Sequence, residues 1–324
     1  MSRFYIGIDT SNYTTSCALF DAQSRTFLSN VKRLLNVDAG ERGLRQSDAV
    51  FAHVKNLPDV IGEALTGLDP ASLCAVGVSA TPRDNEGSYM PCFLTGLAAA
   101  STLANGVKKP LHRFSHQVGH VMAAVWSSNS PDLLERDFIA FHVSGGTTEL
   151  LRVHPEMTDT LSMRIELLGG TLDLNAGQAI DRIGVKMGLG FPCGPKLEEL
   201  ALACDEKVER AKLSVKGCEC NLSGVENKVD KLLTEGRSRE YAAKFVLDFI
   251  GRTLITLAEN ALETCGDMPV LFAGGVMSNS IIKGMIARRP MDARFAEPRF
   301  SSDNAAGCAL LCAAAEEGLG FWQK

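Results

Sequence analysis

Two histidines four residues apart are the first candidates for chemistry in this sequence. His116 and His120 fall in a segment that predicts a helix, and their spacing places both side chains on one face, where they could bind one metal ion. A third ligand should be an oxygen or nitrogen donor from another segment, and Asp303 is the best candidate. The alternative is that both histidines are structural and that Asp303 is a helix N-cap.

Two polar loops that follow apolar strands are candidates for phosphate binding. In the first loop, Asp9 could hold a metal-bound water, while Ser11 and the backbone amides could contact a phosphate. The second loop contains paired glycines, which allow the backbone to approach an anion closely. Its residues are Ser144, Gly145, Gly146 and Thr147. Taken alone, the first loop is better explained as an ordinary polar turn and the second is also a weak signal, whereas the two loops together are more specific.

Two further segments could hold the sugar or base of a nucleotide. Asp181 lies on a predicted helix and could accept hydrogen bonds from ribose hydroxyls, and the turn that contains Gly194 could pack against the sugar. Gly274 and Gly275 follow a strand and precede a helix near Asn279, a junction that admits a ring or a phosphate close to the backbone. The alternatives are a salt bridge from Asp181 to a neighbouring basic residue and a tight strand-to-helix turn at the glycines.

The elements that must position these residues form a repeated pattern. A strand, a polar loop and a second strand occur at residues 6–20 and again at residues 138–153, which indicates an internal duplication. Two such hairpins, each followed by helices, are typical of the α/β fold of actin-like ATPases. We therefore predict two lobes, residues 1–115 and 116–324, around a nucleotide cleft, with the last helix packing back on the first lobe. Function must then be argued from the sites.

The composition limits the classes of function. The chain has 324 residues, of which 45% are apolar, and a formal net charge of -5, so any RNA contact should be local or shared with a partner. No apolar run has the length of a membrane span, and the first residues lead directly into a strand, so we expect neither a membrane anchor nor a signal peptide. Ten cysteines in such a chain indicate buried thiols in a reducing cytoplasm.

The order of the motifs resembles one enzyme family along nearly the whole chain. From about Ile6 to Leu310 the sequence contains D-T-S, H-x-x-G-H, V-S-G-G-x-T, A-G-x-A-x-D, G-x-P-x-G-P, G-G-V-x-x-N and D-N-A-A. This series is similar to that of the TsaD-type tRNA threonylcarbamoyladenosine transferases. The histidine pair with Gly119, followed by the V-S-G-G motif, is its most specific part.

The resemblance implies a reaction and a set of roles. Members transfer a threonylcarbamoyl group from threonylcarbamoyl-AMP to N6 of adenosine 37 in tRNA, and they work as homodimers or with related or small subunits. By position, His116, His120 and Asp303 would bind one iron or zinc ion. Residues 143–147, beginning with Val143, would line the phosphate and acyl carrier. The nucleoside part would be held by Asp181, Gly194 and Asn279.

Several positions depart from the family pattern. Tyr13 and Thr14 replace an acidic pair in the first loop, Thr147 replaces a histidine, and Val118 replaces a glutamate. We therefore interpret the chain as a divergent paralogue. Two alternatives to the transferase remain: a non-catalytic, nucleotide-binding scaffold that pairs with an active actin-like subunit, and an ATPase of the same fold that binds ATP or AMP. Peptidase activity is not expected, because H-E-x-x-H is absent.

Overall fold

A computed structural model describes residues 3–11, 13–35, 44–157, 161–300 and 304–322. The strands are β1 (Phe4–Ser11), β2 (Thr14–Asp21), β3 (Thr26–Leu34), β4 (Leu73–Thr81), β5 (Leu111–Ser115), β6 (Phe138–Val143), β7 (Thr148–Met157), β8 (Leu161–Thr171), β9 (Val215–Lys216), β10 (Glu219–Cys220), β11 (Val270–Ala273) and β12 (Ala293–Phe295). The helices are α1 (Gln46–Ala64), α2 (Cys92–Val107), α3 (His116–Ser127), α4 (Ala176–Lys186), α5 (Gly194–Leu202), α6 (Gly224–Thr234), α7 (Arg239–Cys265), α8 (Ser280–Ala287) and α9 (Ala305–Glu317).

The contacts within the chain define two compact units. The first contains residues 1–135, 155–164 and 302–324, and the second contains residues 136–154 and 165–301. The predicted limit between residues 115 and 116 falls inside the first unit. The physical reason is that β5 ends at Ser115, which is also the N-cap of α3, and α3 packs on α9 of the same unit.

The first unit is built on a five-stranded sheet with the order β3-β2-β1-β4-β5. Strands β1, β2 and β3 form an antiparallel meander, while β4 and β5 run parallel to β1. The apolar side chains of β1 and β4, such as Ile6, Ile8 and Val76, are fully buried with Leu57 and Val60 of α1. Helix α9 packs on β1 and β4 as well and is buried along nearly its whole length.

The second unit is built on a sheet with the order β12-β11-β6-β7-β8-β10-β9. Its core is organised around α7, which begins with Ser238 as N-cap and ends at Gly266, where φ is 92°. Phe141 and Phe272 stack at 4.8 Å between ring centroids in the centre of the sheet. Each such fully buried ring stabilises the fold by about 1.5–3 kcal/mol relative to an exposed one.

The two sheets repeat the same topology, as the predicted duplication requires. The order β3-β2-β1-β4-β5 of the first sheet recurs as β8-β7-β6-β11-β12 in the second. In both, an antiparallel hairpin is followed by two strands parallel to its first strand. The predicted α/β fold of duplicated, actin-like units is therefore confirmed.

Two expectations from composition can be compared with the structure. All ten cysteines are free thiols, and Cys17, Cys308 and Cys312 are fully buried, whereas Cys74 is partly exposed. Within the described ranges, no helix combines the length and the apolar character that crossing a bilayer requires.

Candidate functional site

Asp9 is the buried centre of a polar cluster in the first unit. It is the sixth residue of β1 and is 1% exposed, and its Oδ1 lies 3.0 Å from Nδ1 of His116. Its Oδ2 accepts a hydrogen bond from the N–H of Ser11. Burial alone would raise the pKa of Asp9, but the charge of His116 and hydrogen bonds with His116, Ser79 and Ser11 hold that pKa well below its usual range. Asp9 is therefore a carboxylate, which can only accept hydrogen bonds.

The histidine pair lies at the beginning of α3. Ser115 caps the helix, because its Oγ accepts a hydrogen bond from the N–H of Val118, as predicted. His116 and His120 lie one turn apart, with their Nε2 atoms 3.0 Å from each other and their rings 80° from parallel. The predicted common face of the two histidines is thus present in the structure.

The carboxylate of Asp9 selects the tautomer of His116. In a His116 that binds a metal ion, Nε2 must be unprotonated, and the acceptor Asp9 would then hold the proton on Nδ1. The lone pair of His116 Nε2 would in that form point toward His120. A carboxylate behind a histidine in this way orients a metal ligand and raises its basicity. Asp9 therefore acts on the histidine pair rather than facing solvent at the tip of the first hairpin.

Asn304, at the N-cap of α9, contacts the same histidine as Asp9 does. It is 1% exposed, and its Nδ2 lies 2.8 Å from the carbonyl oxygen of His116 and 3.0 Å from Oγ of Ser79. A Cβ on Gly119 would come within 2.2 Å of Oδ1 of Asn304. A Cβ on Gly307 would come within 1.9 Å of the carbonyl oxygen of Gly119. The H-x-x-G-H motif thus requires glycine at position 119, because α3 and α9 pack too closely here to leave room for a side chain.

The donors present fit one part of a metal site. Two imidazole nitrogens face each other, and the first is oriented by a carboxylate, as in many metal centres. The third predicted ligand, Asp303, lies outside the described residues, although the next residue, Asn304, contacts His116. Among the described residues, no group of three or more His, Cys, Asp or Glu side chains could hold an ion. The N-cap position of α9 is occupied by Asn304, whose side chain makes no capping hydrogen bond, and the alternative role of Asp303 as an N-cap falls outside the described residues.

The second loop, in the second unit, is a tight turn after β6. The N–H of Ser144 donates to the carbonyl oxygen of Thr147, and Oγ of Ser144 accepts from the N–H groups of Gly146 and Thr147. These two backbone N–H groups are therefore already used within the turn. Gly177 of α4 packs against it, and a Cβ at Gly177 would lie 2.7 Å from the backbone of Gly145.

A cavity of about 300 Å³ lies between this turn and the helices of the second unit. Five of the residues predicted to bind the nucleotide line it, namely Gly145, Asp181, Gly194, Gly275 and Asn279. The other five predicted residues do not line it, namely Val143, Ser144, Gly146, Thr147 and Gly274. Gly274 has a packing role, since a Cβ there would meet the carbonyl oxygen of Val143 at 2.1 Å and its φ is 104°.

Asp181 and Asn279 are fixed by backbone hydrogen bonds at the edge of this cavity. Oδ1 of Asp181 accepts from the N–H of Cys193 at 2.8 Å, which leaves its second oxygen available. The predicted alternative, a salt bridge to Arg182 or Lys186, is wrong, because both basic residues pair with Glu226 of α6. Oδ1 of Asn279 caps α8 through the N–H of Ile282, which leaves its amide nitrogen for a ligand.

Sequence reasoning missed several residues of both sites. Ser79 and Asn304 complete the cluster around Asp9, and Glu198 and Gly177 line the cavity of the second unit. Ser79 follows the apolar part of β4 in the way that Asp9 follows that of β1, so its position at a strand end was a usable signal. Glu198 gave no such signal, because its contact with Ser280 depends on the packing of α5 near α8.

Comparison with known proteins identifies the sequence relatives. The family model "TsaD: tRNA N6-adenosine threonylcarbamoyltransferase" matches residues 34–310. A protein of Thermotoga neapolitana named tRNA N6-adenosine threonylcarbamoyltransferase is 28% identical over 293 residues, which are 88% of this chain and 84% of that protein. A probable bifunctional tRNA threonylcarbamoyladenosine biosynthesis protein of Thermoplasma volcanium is 28% identical over 93% of this chain. The chain spans only 54% of that second relative.

Solved structures support the fold. Component A of the (R)-2-hydroxyglutaryl-CoA dehydratase of Acidaminococcus fermentans superposes with a TM-score of 0.57 at 14% identity. The match covers 97% of this chain and 99% of the other. At this identity the likeness concerns the fold alone, and it agrees with the duplicated topology of the two sheets.

Proposed function

This chain belongs to the tRNA N6-adenosine threonylcarbamoyltransferase family, and we propose that it transfers a threonylcarbamoyl group from threonylcarbamoyl-AMP to N6 of adenosine 37 in tRNA. The observation that carries the proposal is the arrangement Asp9–His116–His120, in which a buried carboxylate orients one of two facing histidines. A buried, charged network of this kind costs stability unless every partner is satisfied, so it is better explained by chemistry than by packing.

The histidine cluster supplies ligands for one divalent ion, iron or zinc. His116 and His120 would hold it together with Asp303, and Asp9 and Asn304 would keep His116 in the orientation described above. When bound, the ion would polarise the carbonyl of the carbamoyl group and offset the charge that develops on the leaving phosphate.

The cavity of the second unit suits the nucleoside part of the donor. The second oxygen of Asp181 can accept a hydrogen bond from a ribose hydroxyl, and Gly145, Gly194 and Gly275 present backbone that a sugar or base can approach. Neither Lys nor Arg occurs among the residues that line this cavity, whereas Asp181 and Glu198 do. This balance favours a nucleoside rather than a polyphosphate at this place.

The reaction exchanges one bond at the carbamoyl carbon. The lone pair of adenosine N6 attacks that carbon, the bond from the carbon to the phosphate oxygen breaks, and AMP leaves with the electron pair. The amine loses one proton, which passes to water or to the phosphate of the leaving AMP. Val118 is apolar and Thr147 carries only a hydroxyl, so neither offers the base that a glutamate or histidine at the same motif position would provide.

We also propose that the tRNA contact is shared with another subunit. The net charge of -5 is unfavourable for holding an RNA alone, and phosphate contacts normally supply most of the affinity. A related actin-like subunit would contribute the missing positive surface, whereas a second copy of the chain, with the same charge of -5, would have to combine local basic patches of the two copies.

The proposal is tested by metal content and by binding of threonylcarbamoyl-AMP, measured on the same samples of wild type, His116→Ala and His154→Ala. His154 is a matched control, because it pairs with Asp137 at 2.7 Å and does not belong to the cluster. We expect about one metal ion per chain in wild type and in the control. His116→Ala should lose the ion and bind the adduct more weakly, and only proteins that carry the ion should modify tRNA.

Two other results would point elsewhere. Wild type that binds threonylcarbamoyl-AMP but carries no metal and modifies no tRNA, alone or with an active subunit present, would be a nucleotide-binding scaffold. Wild type that hydrolyses ATP without binding the adduct would be an ATPase. Either result would overturn the transfer reaction while leaving the membership of the family intact.

A further inference from the structure

A second cavity, in the first unit, lies beside the histidine cluster, since Ser115 and Val118 are among its lining residues. Its volume is about 490 Å³, within the range of specific ligand sites. Residues 112–115 of β5 form one wall, and residues 161–164 at the beginning of β8 form another. Leu311 and Ala315 of α9 close it on one side, and Asp84 reaches it from the loop after β4.

The walls show that this cavity is a slot between two strand edges. Successive side chains of a strand point to opposite faces of the sheet. A cavity above one face would therefore touch alternate residues, such as His112 and Phe114 only. Here four consecutive residues line the cavity on each wall, 112–115 and 161–164, so it lies against the edges of both segments.

The edge of β5 that faces the slot has its backbone groups available. Strand β5 is the last strand of its sheet and pairs only with β4 among the described strands. The N–H of Val76 in β4 donates to the carbonyl oxygen of Pro110. Because backbone groups alternate along a strand, His112 and Phe114 also face β4, while the N–H and C=O of Arg113 point to the open edge.

The opposite wall, residues 161–164, also presents a strand edge that no other described strand pairs with. Strand β8 lies between β7 and β10, but β10 pairs with it only at Gly170 and Thr171. Residues 161–164 thus have a free edge on the side away from β7, as far as the described residues extend. Two free strand edges that bound one slot are the arrangement into which an additional strand fits.

The charges at the slot favour an acidic side chain at one position, beside Arg113. Arg164 faces Glu156 at 3.8 Å, and His112 pairs with Glu316 at 2.6 Å. Arg113 is exposed and has no hydrogen bond or ion pair within the described part of the chain. The Asp84 carboxylate accepts a hydrogen bond from Oγ of Ser115, a neutral donor that leaves its negative charge unpaired. Among the described basic residues that line the slot, Arg113 is the one without an acidic partner, so an occupant should place its acidic side chain at Arg113 rather than near Asp84.

We propose that the slot beside β5 binds an extended, acidic segment of a partner protein as an added strand. The backbone N–H and C=O of Arg113 would pair with the segment, and its guanidinium would contact an acidic side chain. The apolar side chains of Phe114, Met163 and Leu311 would cover the alternate side chains of the segment. This surface lies beside the histidine cluster and would serve to recruit a partner rather than to carry out the transfer reaction.

A simpler interpretation is that Arg113 only protects the edge strand from aggregation, as charged residues on edge strands often do. A free amino acid could also use Arg113 and Asp84 for its carboxylate and its ammonium group. The two interpretations and the proposal differ in whether the backbone of β5 takes part in binding, so an experiment that changes only the backbone separates them.

The test uses the full-length protein and three capped hexapeptides of alternating threonine and valine, measured by fluorescence anisotropy. The first carries a central glutamate, the second a central lysine, and the third is the glutamate peptide with N-methyl groups on alternate amides. We expect saturable binding of the glutamate peptide below about 1 mM, and at least about tenfold weaker binding of the other two.

Variants then separate charge from backbone. Arg113→Glu should reverse the preference between the glutamate and lysine peptides. Arg113→Pro should abolish binding of both, because it removes the outward N–H while leaving the pairing of β5 with β4 intact. Arg33→Glu is the matched control, since Arg33 lies on β3, the other edge strand of the same sheet. It should bind the glutamate peptide as wild type does.

Each remaining outcome would overturn the proposal. Failure of the glutamate peptide to bind at about 1 mM would do so, as would equal binding by wild type and Arg113→Pro with both proteins folded by thermal unfolding. Binding of free glutamate as tight as that of the peptide would identify a small-molecule pocket. A change of oligomeric state in Arg113→Pro would mean that a second copy of this chain occupies the slot.

Discussion

The histidine cluster of the first unit and the glycine-lined cavity of the second are built on opposite principles. Around Asp9, each polar side chain is held by neighbours at hydrogen-bonding distance, and the backbones of α3 and α9 touch through Gly119 and Gly307. Around the cavity, Gly145, Gly194 and Gly275 have open space where a Cβ would stand. The first region fixes the orientation of reactive groups, whereas the second leaves a volume for a ligand to fill.

The largest effect is expected when a methyl group is added to a glycine of the histidine cluster. The same change at a glycine of the cavity provides the comparison. Gly307→Ala would place a Cβ 1.9 Å from the carbonyl oxygen of Gly119, a backbone atom that cannot move alone. We expect a loss of about 3 kcal/mol or more in the free energy of unfolding. Gly275→Ala meets nothing within 4 Å and should stay within about 0.5 kcal/mol of wild type. Denaturant unfolding of both variants measures the difference.

The same pair of variants also separates stability from binding. Since Gly275 lines the cavity, its variant should bind threonylcarbamoyl-AMP more weakly while remaining as stable as wild type. If Gly275→Ala were as destabilising as Gly307→Ala, the second region would be packed as tightly as the first, and the contrast between them would be lost.

The next effect concerns the carboxylate behind His116. Asp9→Asn keeps the size of the side chain but removes the charge that orients the histidine. We expect metal affinity to fall about 10- to 100-fold, as for other partners of metal-binding histidines. Asp21→Asn is the control, because Asp21 is also buried at the end of a strand of the first sheet but bonds to the backbone of Gln23. Titration with zinc in competition with a chelator gives both affinities, and equal affinities would remove Asp9 from the site.

Much of this organisation was predictable from local sequence, and the remainder depends on long-range packing. The duplication, the common face of His116 and His120 and the cap at Ser115 were predicted from period, spacing and residue type, and the structure confirms these three features. The partner of Asp9 could not be predicted, because 107 residues separate it from His116. The hydrogen bond of Asp181 likewise goes to the backbone of Cys193, where helical spacing suggested a basic neighbour instead. Local patterns carry no information about such tertiary contacts.

A smaller effect is expected at the edge of the cavity. Asp181→Asn retains an oxygen that can accept from the N–H of Cys193, but replaces the free oxygen with an amide group. Loss of one hydrogen bond to a ribose hydroxyl should weaken nucleotide binding by about fivefold. Asp181→Ala should weaken it further, because the turn at Cys193 also loses its anchor. Calorimetric titration with AMP measures both variants. An unchanged dissociation constant for Asp181→Asn would show that the carboxylate does not contact the ligand.

The smallest effect tests how the second region is held in place. Asp173 lies just before α4, and its carboxylate accepts hydrogen bonds from the N–H groups of Leu222 and Ser223, just before α6. Burial raises its pKa, but hydrogen bonds from the hydroxyl of Ser223 and from three backbone N–H groups bring the pKa below its usual 3.8. The stability that this carboxylate contributes is therefore complete above that value and is lost as the pH falls through the lower pKa of the folded state.

Thermal unfolding of wild type and Asp173→Asn between about pH 7 and 2 measures this contribution. Because the side chain is exposed to solvent, we expect wild type to melt no more than about 2–4 °C above the variant near neutral pH. The difference should shrink only below the usual pKa of the carboxyl group, 3.8. Asp267→Asn, a substitution at an exposed aspartate, should show no such trend. A melting difference that stays constant down to about pH 2 would mean that asparagine destabilises the protein for reasons other than its lack of charge. The beginnings of α4 and α6 would then be held together by packing rather than by the charge of a carboxylate.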